Sequence, residues 1–225
     1  MTCVGIVGGL GVGATVHYYE KITAACKARG LVPDLAFVHA DVDHGQDLVR
    51  AGKLDALADY LATFIDRLGR AGADAAALPA VTPHICISQL KRRARLPIIN
   101  IVEPIEAEMR ARRITRVALF GTIFTMQGSL WGQLSSAEIV QPRPDEMDFI
   151  GAVYQRILDT QKADPRDAAG LRRIAADLQR RDGVEGILLA GTDLALMFDE
   201  ATAGFPAIDL ARLHIEAIVD RLTGP

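Results

Sequence analysis

The sequence predicts an α/β protein of two pseudo-symmetric half-domains, each a parallel sheet flanked by helices, with the site in the cleft between them. Three observations predict it. Short apolar runs alternate with amphipathic helical stretches through most of the 225 residues. A strand-loop-helix pattern recurs at nearly one offset. The loops after the strands carry Gly and Thr, which suit a ligand held against backbone amides at the carboxyl ends of strands.

The elements follow in chain order. Residues 4–7 read as a buried strand and 12–29 as a helix. Residues 34–39 are a strand, and 53–70 a helix with Leu54, Leu57, Leu61, Phe64, Ile65 and Leu68 on one stripe. Residues 75–78 and 98–101 are strands, the second ahead of a helix at 104–112. Strands at 117–120, 138–140 and 187–189 continue the series, with helices at 146–158 and 168–181. A strand at 207–208 and a helix at 211–222 close it. Apolar strands alternating with helices imply parallel sheets covered on both faces.

The repeat sets the domain limits. Ile6-Val7-Gly8-Gly9 resembles Leu119-Phe120-Gly121-Thr122, with Gly8 and Gly121 separated by 121 − 8 = 113. Leu78-Pro79-Ala80-Val81-Thr82-Pro83-His84 and Leu189-Ala190-Gly191-Thr192-Asp193-Leu194 each follow a strand and open what reads as a helix. Ala80 and Gly191 lie 191 − 80 = 111 apart. The agreement indicates two related halves: residues 1–102 with 206–225, and residues 103–205. Loops at 8–13, 80–84, 121–125 and 191–193 would line the cleft.

Composition narrows the function. A formal net charge of −3 and the lack of a basic cluster argue against nucleic acid. Lys91-Arg92-Arg93 and Arg110 to Arg113 fit helix ends, where cations complement the dipole. No apolar run approaches the ~20 residues that cross a bilayer. No basic stretch precedes residues 4–7, which read as a strand and not as a signal peptide, so the expected location is cytoplasmic. Cys3, Cys26 and Cys86 show neither metal-ligand spacing nor an even count, and read as small buried hydrophobes.

Gly8-Gly9-Leu10-Gly11-Val12-Gly13 fits a turn presenting amides to an anion, or a turn needing close backbone approach. It fails the dinucleotide pattern, because no acidic residue ends the second strand. His39, Asp41, Asp43 and His44 read as a substrate-contact or solvated loop in preference to a metal site. Thr82 and Thr192 suit helix capping, carboxylate binding, or both. His84 and Asp193 could act as general acid or base, or could be ordinary residues of a first turn.

The chain resembles the aspartate/glutamate racemase superfamily. Val4 to Val12 matches the opening I-G-I-L-G-G-M-G-P of that family. Residues 118–125 match its G-L-L-A-T-x-G-T, and Asp209 to Ala217 match part of D-T-T-x-x-H-x-E-A. The two loops match P-C-N-T-A-H and G-C-T-E-L, which each present a catalytic cysteine. Here those positions are Ala80 and Gly191. The resemblance implies a cofactor-independent enzyme and a homodimer. It also implies a site holding Gly9, Gly11, Thr82, Thr122, Thr125 and Thr192 as substrate-binding groups.

The chemistry departs from the family's. Cofactor-free racemisation needs a base on one face of Cα and an acid on the other. A methyl group at Ala80 and a hydrogen at Gly191 supply neither. Cys86, six residues beyond Ala80, lies more than a turn and a half into the helix expected there. Gly191, facing Ala80 across the cleft, suggests an enlarged pocket. The expectation is therefore a protein acting on a small carboxylate or amino dicarboxylate by non-thiol acid/base chemistry. The reaction would be of isomerase, decarboxylase or lyase type, with Asp193 or His84 as acid/base. The alternatives are a catalytically inactive carboxylate-binding or regulatory protein, and a racemase with non-thiol bases. No metal, cofactor, nucleic-acid or membrane partner is expected.

Overall fold

The computed structural model describes residues 2–224, which divide into two compact units. The first runs to Ile101 and resumes at Arg212; the second is Val102–Ala211. In the first unit the chain forms β1 (Val4–Gly8), α1 (Val12–Ala28), β2 (Leu35–His39), α2 (Val42–Arg50) and α3 (Leu54–Arg70). It continues as β3 (Ala75–Ala77), a 3₁₀ turn at Thr82–Cys86, α4 (Ile87–Arg93) and β4 (Ile98–Ile99). The four strands form one parallel sheet in the order β2-β1-β3-β4.

Burial follows this order. Every residue of β1 and β3 is buried, as inner strands of a parallel sheet must be, whereas the edge strand β2 is half-exposed. Leu57, Ala58, Leu61, Phe64, Ile65 and Leu68 form the buried stripe of α3. The helix α2 occupies residues expected to be loop, because the Asp41 carboxylate caps it by accepting from the N–H groups of Asp43 (2.9 Å) and His44 (3.3 Å). The basic run Lys91–Arg93 ends α4, where it meets the negative end of the helix dipole.

The second unit holds α5 (Glu103–Arg112), β5 (Arg116–Phe120), α6 (Ile123–Gln127), a 3₁₀ turn at Ser129–Gly132 and β6 (Glu138–Val140). It continues as α7 (Pro144–Thr160), α8 (Pro165–Asp182), β7 (Gly186–Leu189), a 3₁₀ turn at Thr192–Leu196 and β8 (Ala207–Asp209). Its parallel sheet has the order β6-β5-β7-β8, the same order as in the first unit. Pro144 and Pro165 open α7 and α8, where the missing N–H has no helical partner to lose. Gly183 closes α8 at φ 66°.

From α9 (Leu210–Thr223), the chain from Arg212 onward belongs to the first unit. The strand β8 pairs with β7, so the change of unit follows β8 and does not come at residue 206. None of the described helices is long and apolar enough to cross a membrane.

The registers refine the repeat. Ile6 pairs with Ala77, and Ala118 pairs with Ile187, which sets the first strands 118 − 6 = 112 apart. Beyond the third strands, the N–H of Ala80 donates to the Leu78 carbonyl and that of Ala190 to Leu188, both at 2.8 Å. The N–H of His84 then donates to Val81 and that of Leu194 to Gly191, both at 2.9 Å. These paired bonds align Thr82 with Thr192, at 192 − 82 = 110. Ala80 therefore corresponds to Ala190 and Val81 to Gly191. Both loops open 3₁₀ turns and not the α-helices expected, since their bonds close after three residues.

Candidate functional site

The Gly8–Gly13 turn is shaped by Thr15. Its hydroxyl donates to the Gly11 carbonyl at 2.8 Å and accepts from the Gly9 N–H at 3.1 Å. Gly9 has φ 85°, and a Cβ there would overlap the Ala40 carbonyl and stand 2.9 Å from the His39 ring. Close approach thus explains this glycine, and its amide already has an acceptor. Gly11 precedes α1 in extended conformation. Among the polar residues after β2, the carboxylate of Asp41 is used as the cap of α2, and His44 within α2 stacks edge-on against Tyr60 at 4.7 Å.

The loop at residues 80–84 is largely buried. Ala80 is 6% exposed, His84 1%, and Thr82 is half-buried. Nδ1 of His84 lies 2.9 Å from the Ala80 carbonyl, which can only accept, so Nδ1 carries a proton. His84 thus folds back onto the backbone of its own loop. Cys86 offers no substitute. Its S–H donates to Pro83 O at 3.3 Å, and burial pushes its pKa up to about 12. Burial also raises the thiols of Cys3 and Cys26, so all three cysteines are held away from the reactive thiolate form.

His214 stands in the same unit, fully buried. Its Nε2–H donates to Ile99 O at 2.9 Å, and Nδ1 accepts from the Tyr18 hydroxyl at 3.1 Å. Burial first, and the nearby His84 second, bring its pKa down to about 3. It is a neutral, doubly bonded support.

In the second unit, Gly121 lies so close to the neighbouring loop that a Cβ would stand 2.6 Å from the Ala190 carbonyl. Thr122 caps α6, accepting from the Thr125 N–H at 3.2 Å, and its hydroxyl lies 3.0 Å from that of the buried Thr125. Asp209 caps the start of α9 through the Ala211 N–H at 2.8 Å.

The loop at Gly191 corrects the expectation of an enlarged pocket. A Cβ on Gly191 would overlap the Tyr154 ring, with Cδ2 and Cζ both at 2.8 Å. The absent side chain leaves no void, because Tyr154 of α7 fills it. The phenol donates to Asp193 Oδ2 at 3.2 Å. Burial, then the Asp193 charge, raises the Tyr154 pKa well above its ordinary value, so the phenol remains a donor. The Asp193 N–H and the Thr192 hydroxyl also interact with this phenol. Thr192 and Asp193 are 1% and 0% exposed.

No sequence motif marks Tyr154. The signal available was position: it lies among Ile150, Val153 and Ile157 on the buried face of α7, where a phenol needs a polar partner. Tyr18, buried on α1 and bonded to His214, carries the same signal.

A family model described as Asp/Glu/Hydantoin racemase matches residues 7–218. The chain belongs to that family. Among solved structures, this racemase-family chain is similar to a proposed Asp/Glu racemase from Yersinia pestis. The TM-score is 0.84 at 23% identity, over 98% of each chain. It is also similar to an aspartate racemase homologue from Pyrococcus horikoshii OT3, with TM-score 0.80, 22% identity and 98% of each chain covered. The Picrophilus torridus aspartate racemase gives 0.75 at 22% identity, over 98% of this chain and 94% of that one. At such identities the three structures speak for the fold, and the racemase-family fold is the one seen here.

Proposed function

We propose that this racemase-family protein acts on a small carboxylate by cofactor-independent acid/base chemistry without thiols, with His84 and Asp193 as the proton-transferring groups. The observation that carries the reading is the state of His84. Its Nδ1–H is fixed on the Ala80 carbonyl, so that Nε2 is the basic nitrogen of the neutral ring, and it sits in the loop that resembles the family's first thiol loop. An imidazole with one tautomer set by a backbone acceptor is a suitable general base near neutral pH. Proton abstraction next to a carboxylate would serve isomerisation, decarboxylation or elimination. Gly9, Gly11, Thr82 and Thr122 remain the proposed substrate-binding groups, whereas Thr125 and Thr192 are buried and engaged within their own unit.

Incubation with L-aspartate, L-glutamate and L-alanine in D2O, followed by proton NMR, tests this. Loss of Cα–H signal or a new product is expected with at least one of them. His84→Asn, which keeps a donor for the Ala80 carbonyl but removes the Nε2 base, should slow the reaction at least ~100-fold. Silence with all three would favour the second reading, a carboxylate-binding protein without activity. That reading is supported by the complete burial of Asp193 under Tyr154.

We also propose that the protein is a homodimer. Support comes from Val12, Val16 and Tyr19 on α1, which are 50%, 52% and 54% exposed, together with Phe37 on the edge strand β2 at 40%. Val12, Val16 and Tyr19 share one helical face, and Tyr19 stacks edge-on against Phe37 at 5.7 Å.

A further inference from the structure

The loop after β7 is already occupied from within its own unit. Tyr154 takes two things that a ligand would otherwise find there. The first is space: ring carbons stand 2.8 Å from where a Cβ of residue 191 would be, far inside the ~3.5–4.0 Å of ordinary carbon contact. The second is polar capacity. The phenol donates to Asp193 Oδ2 at 3.2 Å and meets the Asp193 N–H and the Thr192 hydroxyl. An N–H and a hydroxyl at the start of a turn are the groups that would receive a carboxylate. A carboxylate displacing the phenol would also approach the Asp193 carboxylate, and like charges in a buried place repel strongly.

We propose that Tyr154 sets the ligand class of this protein. By filling the side-chain space at Gly191 and engaging Thr192 and Asp193, it denies this loop to a second carboxylate, so that monocarboxylates are selected over aspartate and glutamate. Tyr154 is a specificity-determining residue contributed by α7. The inference rests on the small-carboxylate reading above and narrows it.

The test compares matched probes by calorimetry or ligand-observed NMR: L-alanine against L-aspartate, and propionate against succinate. The wild-type protein should bind each monocarboxylate at least tenfold more tightly than its dicarboxylate partner. Tyr154→Phe keeps the ring but frees the Thr192 and Asp193 groups, and should reduce that ratio. Tyr154→Ala opens the space as well, and should reverse it. Circular dichroism confirms that each variant is folded, and Tyr154→Phe, which preserves the packing, carries the test alone if Tyr154→Ala does not fold. A wild-type protein that binds L-aspartate or succinate as tightly as the shorter partner would overturn the inference alone. A ratio unmoved in every folded variant would do the same. Failure of all four probes to bind any of the proteins would overturn the small-carboxylate reading, and the inference with it.

Discussion

Lowering the pH should destabilise this protein through His214. In the native state its ring is buried and neutral between the Tyr18 hydroxyl and the Ile99 carbonyl, with a pKa of about 3, against 6.5 for an ordinary histidine. Above pH 6.5 neither the native nor the unfolded chain protonates it, and its contribution to stability is fully present. Below pH 6.5 the unfolded chain takes up a proton that the native state refuses, so stability falls as the pH drops towards 3. The limiting slope is ~1.4 kcal/mol per pH unit, which gives a loss of ~2 kcal/mol at pH 5 and ~5 kcal/mol near pH 3. The perturbation is His214→Gln, whose amide can still donate and accept but cannot titrate. It should lower stability at pH 7.5 by ~1–2 kcal/mol through poorer hydrogen bonds. That deficit should shrink by ~2 kcal/mol on going to pH 5. Urea unfolding followed by circular dichroism at pH 7.5, 6.5, 5.5 and 5.0 measures both numbers. Parallel pH dependences for the two proteins would refute the reasoning, because another group would then be responsible for the acid sensitivity.

Two further predictions concern the glycine turn and the thiols. Gly9→Ala should lower stability by ~1–3 kcal/mol, since its φ of 85° and the nearby Ala40 carbonyl and His39 ring penalise any side chain; an unchanged melting temperature would contradict this. The native protein should label with a thiol reagent at pH 8 only as fast as it opens, because Cys3, Cys26 and Cys86 are buried with raised pKa values; stoichiometric labelling within seconds would show a reactive thiol.

The strands and the two-half plan were legible because buried parallel strands are short apolar runs, and α3 because its stripe has helical spacing. The helix α2 was not. Its residues are largely polar, and only the capping geometry of Asp41 shows why a loop-like stretch is helical. Ala80 and Gly191, matched by motif, lie 111 apart, whereas the backbone bonds align Thr82 with Thr192 at 110. Motif letters cannot reveal which carbonyl a given N–H will find. Both loops are legible in the sequence as polar junctions after apolar strands. What fills the place beside Gly191 was not legible, because Tyr154 lies 191 − 154 = 37 residues earlier on α7 and reaches it only through tertiary packing.

The account of the second loop depends on Tyr154 holding the space of a residue-191 side chain. A double-mutant cycle on stability measures that directly. Gly191→Cys should cost ~1–3 kcal/mol in the wild-type background through overpacking. In a Tyr154→Ala background, itself ~3–5 kcal/mol less stable, the same change should cost at least ~1 kcal/mol less, as expected for two residues in contact. An equal cost in both backgrounds would show that Tyr154 does not occupy the place of a residue-191 side chain.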